Sequence, residues 1–198
     1  MPDQFIHIYE KIPLLHAGIC MGVALALGHL IALLRPQQVI SLLRQACASN
    51  RAGQALMITN FLWILLLLWN SPGNPLRIEL FDFEFARGML ILAGPIVCYT
   101  LCAYSGPNLF GRAVGLFLLL LGIVPLSAAF LKQPESRILI PLWWYPVLTY
   151  AILLIPMPWL LRDTAAWLAK RPTLTRALAA AGLVYALAIL TCALLFWS

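Results

Sequence analysis

Six stretches of this chain are apolar for long enough to cross a lipid bilayer, and no other property restricts the fold as strongly. A helix needs about 20 apolar residues to span the hydrocarbon core. The stretches are residues 14–34, 55–69, 88–104, 113–131, 138–161 and 177–197. Turn-forming clusters separate them, among them Ser71-Pro72-Gly73-Asn74-Pro75, Ser105-Gly106-Pro107-Asn108 and Pro134-Glu135-Ser136. No ten-residue alternation recurs, as a transmembrane barrel requires. The expectation is an all-α integral membrane protein: a bundle of six transmembrane helices with short loops and amphipathic segments on the cytoplasmic side, with residues 1–198 as a single polytopic membrane domain.

Composition excludes the alternatives. Hydrophobic residues make up 63% of the 198 and charged residues 10%, against roughly 45–50% and 25% in a soluble domain. Mean hydropathy is +0.91. A water-soluble or disordered chain does not carry that much apolar surface. The first stretch is expected to remain as a span rather than a cleaved signal peptide. It is too long, and acidic Asp3 and Glu10 precede it where a signal peptide is basic. No lipidation motif and no Asn-x-Ser/Thr site occurs, which is compatible with a bacterial protein.

Charge gives the orientation. With six spans, loops 1, 3 and 5 share one face, which holds Arg35, Arg44, Arg51, Arg112, Arg162, Lys170, Arg171 and Arg176 against the acid Asp163. The other face holds Lys11, Arg77, Arg87, Lys132 and Arg137, but also Asp3, Glu10, Glu79, Asp82, Glu84 and Glu135. The positive-inside rule makes the first face cytoplasmic and puts both termini outside, in a bacterial inner membrane. The basic balance is thus a topology signal and does not imply nucleic acid. Trp69, Trp143, Trp144, Tyr145 and Trp197 fall at the expected outer interface, and Tyr104 and Trp159 near the inner one.

Two inner loops look alike. Residues 36–44 and 163–171 each follow a span end, read as a short amphipathic segment and lead to a basic residue before the next span. Spans 1–2 and 5–6 are either distant counterparts or simply two arginine-rich inner loops. Outside, residues 76–86 alternate Phe81, Phe83 and Phe85 with Asp82 and Glu84. The segment fits a strand or a helix lying on the outer leaflet, and Glu79, Asp82 and Glu84 make an outer acidic patch. Paired carboxylates can serve acid–base chemistry, but no second catalytic group accompanies them.

Ionisable groups in a span call for a functional hypothesis. No Asp, Glu, Lys or Arg lies deep in one, which weakens a proton-coupled reading. His29 lies about 7.5 Å inward of the centre of span 1. Gly18, Gly22 and Ala26 form a small-xxx-small stripe for helix packing, and His29 returns to within about 20° of that face. Asn60, Tyr99, Thr100 and Tyr185 fall at a similar depth. These five residues are the candidate ligand-binding layer, and satisfying one another to fix helix register is the plainer use of them. Thr149 and Tyr150 lie near the centre of span 5.

Haem is not expected. His16 shares a helix with His29, about 20 Å away along it, and His7 precedes the span, so no facing pair of ligands exists. No metal site is expected from Cys20, Cys47, Cys98, Cys102 and Cys192, which lack Cys-x-x-Cys or zinc spacing. Cys98 and Cys102 share one helix face and read as packing residues. Pro95, Pro125, Pro141, Pro146 and Pro156 lie within spans, where each can kink its helix or expose a carbonyl. The chain carries no rhomboid Gly-x-Ser-Gly with a downstream helix histidine, no His-Glu-x-x-His and no Walker loop.

The reading that needs the fewest missing groups is a non-enzymatic accessory or scaffold membrane subunit. Its partners are the lipid bilayer and other membrane subunits or further copies of itself. A small-solute permease around His29 and Asn60, and a membrane redox or lipid-handling enzyme at the outer face, are the alternatives. The topology is directly testable. A reporter fused after Ser198 is expected to give the signal of the outer compartment, and a cytoplasmic signal would overturn the orientation or the number of spans.

Overall fold

Lipid offers no hydrogen bonds, so each spanning segment must satisfy its backbone internally. The computed structural model, which describes residues 8–69, 76–78 and 80–197, accordingly holds helices and no strand among those residues. In chain order the α-helices are α1 Ile8–Lys11, α2 Leu14–Leu34, α3 Pro36–Ala48, α4 Asn50–Leu68, α5 Arg87–Tyr104, α6 Leu109–Ala129, α7 Leu139–Leu154, α8 Trp159–Ala169 and α9 Pro172–Phe196. Six helical segments are long and apolar enough to span a membrane. The chain is therefore a six-helix, all-α membrane bundle.

Local chemistry sets the boundaries. Pro36 and Pro172 each occupy the first turn of a helix, where a missing N–H removes no helical bond. Ser49 caps α4 by accepting from the Ala52 N–H at 3.2 Å. Gly106, at φ +53°, turns the chain from α5 into α6. Pro95, Pro125 and Pro146 lie inside continuous helices.

The fifth span departs from expectation. Instead of running over residues 138–161, the helix stops at Leu154, and α8 begins at Trp159. Pro156 has no N–H to give the Ile152 carbonyl, which instead accepts from Ile155. The freed residues form α8, tied back to α7 by a 2.8 Å bond between the Tyr150 and Thr164 hydroxyls. Other helices extend past the expected limits and carry Arg51, Arg112 and Arg176 within their first two turns. Long arginine side chains let a helix begin before the hydrocarbon does. The segment that fits either a strand or a helix is a 3-10 helix over Phe81–Ala86.

α6 is the most buried span and α5 the least. α6 lies between α4 and α7, while α2 and α9 form an antiparallel pair against α6 and α7. α5 packs on α4 at the margin. α3 and α8 meet at one end of the bundle. At the other end Trp197 donates to the Ser136 hydroxyl at 2.8 Å, Lys132 donates to the Ile12 carbonyl, and Trp63 donates to the Tyr9 hydroxyl at 3.2 Å.

Close helix approach is made at small residues. Gly18 lies against Trp197 and Ala193 of the α9 end, and Gly22 against Leu190 and the Ala186 carbonyl. Gly53 of α4 lies against the backbone of Phe110, and Gly115 of α6 against the Ala151 carbonyl of α7. Gly111 meets the Pro158 carbonyl so closely that a methyl group has no room, whereas Gly28 faces open space. Gly111→Ala is expected to lower stability by about 1–3 kcal/mol through backbone overpacking. Gly28→Ala is expected to leave it unchanged or raise it by about 0.5–1 kcal/mol. Unfolding in mixed detergent micelles measures both, and equal effects would contradict this packing.

Candidate functional site

Of the five polar groups expected in one layer, three lie at helix interfaces and two face outward. His29 sits on α2 over Gly182 of α9, whose missing side chain makes room for the ring. Its Nδ1 lies 2.8 Å from the Leu25 carbonyl. A carbonyl only accepts, so Nδ1 donates its N–H to this bond. Trp143 of α7 meets the His29 ring edge-on at 5.5 Å between centroids. Tyr185 of α9 stacks at a tilt on Trp143 at 5.3 Å, and its hydroxyl donates to the Leu139 carbonyl at 2.7 Å. His29 and Tyr185 are thus joined through Trp143, a residue that sequence reasoning assigned to the interface belt.

Asn60 is elsewhere. It is fully buried on α4 and faces α6, where its Nδ2 donates to the Ala113 carbonyl at 2.7 Å while its Oδ1 has no partner. Tyr99 and Thr100 face outward, and Tyr99 is 71% exposed. The Thr100 hydroxyl bonds within its own helix, to the Val97 carbonyl at 2.9 Å. The reason lies in the packing face of α5. Gly94 meets Leu65 and Phe61, and Cys98, Leu101 and Cys102 pack on the Met57–Leu109 cluster. Tyr99, one residue from Cys98, is turned about 100° away. The Gly94-xxx-Cys98-xxx-Cys102 spacing is the signal that marks this face. Equal depth did not decide direction, so a single layer of His29, Asn60, Tyr99, Thr100 and Tyr185 does not form.

The packing stripe points where its spacing indicates. Gly18 and Gly22 face α9, with Ala26 half-buried on the same helix. His16 is exposed, and His7 lies outside the described residues. Among the described residues no three His, Cys, Asp or Glu side chains gather as metal ligands. All five cysteines are free thiols. Cys47 of α3 is buried against Leu154 and Leu161; burial pushes its thiol up, opposed by the nearby Arg162 charge, and a raised thiol is a poor nucleophile.

Of the expected outer acidic patch, only the Glu84 side chain is described. Glu79 lies outside the described residues, as does the side chain of Asp82. Glu84 is held by Arg87 in a two-pronged pair, Nε to Oε2 and Nη2 to Oε1, both 2.6 Å. Its Oε1 also accepts from the Leu80 N–H at 3.0 Å and lies 3.7 Å from Arg77. Arg87 is itself buried, with 4% exposure. It donates to the Leu68 carbonyl at the end of α4 at 2.9 Å and to the Ile78 carbonyl. A cation at a helix C-terminus satisfies orphan carbonyls and complements the helix dipole. Glu84 is therefore a brace for Arg87, and the pair closes the 3-10 segment onto α4. In sequence Arg87 was legible only as an outer charge three residues after a glutamate.

At the opposite end a shallow recess is lined by Cys47, Asn108, Gly111, Pro158, Trp159 and Arg162. Gly111 and Pro158, which both line it, are in close backbone contact.

Comparison with known protein families, with curated proteins and with solved structures gives no match.

The Arg87 network yields a local test. Arg87→Gln is expected to speed hydrogen exchange at the Ile78 and Leu80 amides by about tenfold or more and to cost about 2–3 kcal/mol of stability. Exchange in α2 should be unchanged. Unaltered exchange at Ile78 and Leu80 would show that Arg87 does not hold the segment.

Proposed function

We propose that this chain is a non-enzymatic accessory or scaffold subunit of a larger membrane assembly, and that α5 is its docking helix. The observation that carries the reading is the one-sided packing of α5. Among the spans it rests chiefly on α4, with Cys98, Leu101 and Cys102 also reaching the cluster that holds Leu109 and Ala113 of α6. Its other sides present Met89, Leu92, Ile96, Tyr99 and Tyr104, each 65–84% exposed. Tyr99 and Thr100 add hydroxyls to this outward surface. Polar groups among lipid tails gain from a neighbouring helix, where small and hydroxyl side chains drive association.

The remaining intramembrane polar groups support the same reading by their use. Asn60 links α4 to α6, Tyr185 links α9 to α7, and His29 fills the space over Gly182. These are contacts that fix helix register. A permease built on His29 and Asn60 needs them in one cavity, and they serve different interfaces. The membrane we assign is a bacterial inner membrane, with the α3/α8 end cytoplasmic and both termini outside. The support is the charge division between the two ends and the positive-inside rule.

A photoreactive phenylalanine analogue placed at Leu92 or Tyr99 tests the docking helix in native membranes. Both positions are expected to give one protein adduct of discrete mass, belonging to a different chain, and the exposed position Val184 on α9 none. Lipid adducts alone, or an equal adduct at Val184, would overturn the assignment.

A further inference from the structure

The end of the bundle formed by α3 and α8 carries a concentrated positive charge. Arg35, Arg44, Arg51, Arg162, Lys170, Arg171 and Arg176 are all exposed there. Asp163 is the one described acid at this end, and it lies 3.7 Å from Arg162. The charge is not spread evenly. The antiparallel register that sets Gly22 against Ala186 and His29 against Gly182 brings Arg35, just past α2, level with Arg176 in the first turns of α9. Lys170 and Arg171 directly precede α9. Arg35 and Arg176 are thus level with the corner that Lys170 and Arg171 form between α8 and α9, and Asp163 belongs to a different pair.

Two further features define what fits this corner. The Arg171 guanidinium lies over the Trp167 ring at 4.6 Å, which orients the cation at the rim of α8. Trp167 is 45% exposed, the placement of an interfacial tryptophan at headgroup level. Toward the membrane from the basic rim the surface is apolar: Leu34, one residue before Arg35, and Leu178, two residues after Arg176, are 69% and 52% exposed. Apolar surface below, an oriented aromatic ring at the boundary and unopposed cations above match one amphiphile: acyl chain, interface and negative headgroup in that order.

We propose that the Lys170–Arg171 corner beside Trp167, within the basic rim it shares with Arg35 and Arg176, binds the headgroup of an anionic phospholipid of the surrounding leaflet, with its acyl chain on the exposed apolar surface below. The site goes beyond the subunit reading and does not depend on it. Such a lipid fixes the α2/α9 pair against α8 and couples the seating of this end to membrane composition.

The test is native mass spectrometry of the full chain in detergent, titrated with phosphatidylglycerol and phosphatidylcholine of matched acyl chains. Phosphatidylglycerol adducts are expected at lower lipid concentration than phosphatidylcholine adducts. Lys170→Gln combined with Arg171→Gln should weaken phosphatidylglycerol binding about tenfold or more and leave phosphatidylcholine unchanged. Arg171→Lys, which keeps the charge, should retain most of the preference, and Arg137→Gln at the other end should retain all of it. Raising the salt concentration should weaken the preference in the wild-type chain. If the double variant does not fold, Arg171→Gln alone, measured against Arg137→Gln, reads the same site. Equal binding of the two lipids, or a preference that survives neutralisation, would overturn the proposal. So would retention of an acidic protein in place of phosphatidylglycerol that the same variants abolish.

Discussion

Close approach of helix backbones is the interaction on which this bundle depends. In lipid the tails are as apolar as leucine, so burying leucine gives no driving force between helices. What remains is contact area, and contact area grows when two backbones come near. Gly18 and Gly22 let α2 meet α9, Gly53 lets α4 meet α6, and Gly111 and Gly115 let α6 meet α7 and the turn after it. The central position of α6 follows. It supplies small residues on both sides, including Ala113, Gly115 and Gly122, all buried. α5 has a single small-residue face, and it lies at the margin, packed chiefly on α4.

Polar side chains work within that geometry. Asn60 reaches a backbone carbonyl of α6 because Gly53, two turns away, holds the helices close. His29 occupies the hollow that Gly182 leaves. Arg87 works at the opposite kind of place, a chain end. It gathers the last turn of α4, the Ile78 carbonyl and Glu84 into one buried network. The two ends of the bundle are therefore built differently. One is tied by specific side-chain bonds involving Arg87, Trp197 and Lys132. The other is closed by two amphipathic helices whose cations remain exposed.

The six spans were legible because a hydrophobic run is a property of the run itself. The amphipathic character of residues 36–44 and 163–171 was legible for the same reason, and both form helices. The Gly18-Gly22-Ala26 stripe was legible because helical spacing fixes which residues share a face. Span limits were less so. Arg51, Arg112 and Arg176 looked like stops, yet each lies inside a helix, since a long side chain can reach water from below the interface. Pro156 read as a possible kink, and it ends α7 altogether.

The sequence by itself determined that this chain is a helical membrane bundle, how many times it crosses, where its charge is concentrated and which stripe of the first span packs. Each of these depends on neighbours within about one helical turn or on a sum over a segment. Only the tertiary structure decided that Asn60 faces Ala113, that His29 lies over Gly182 beside Trp143, that Tyr99 points outward and that Arg87 is buried. Those facts depend on the rotation and register of one helix against another. Contacts between residues far apart in the chain set both, and no local pattern encodes them.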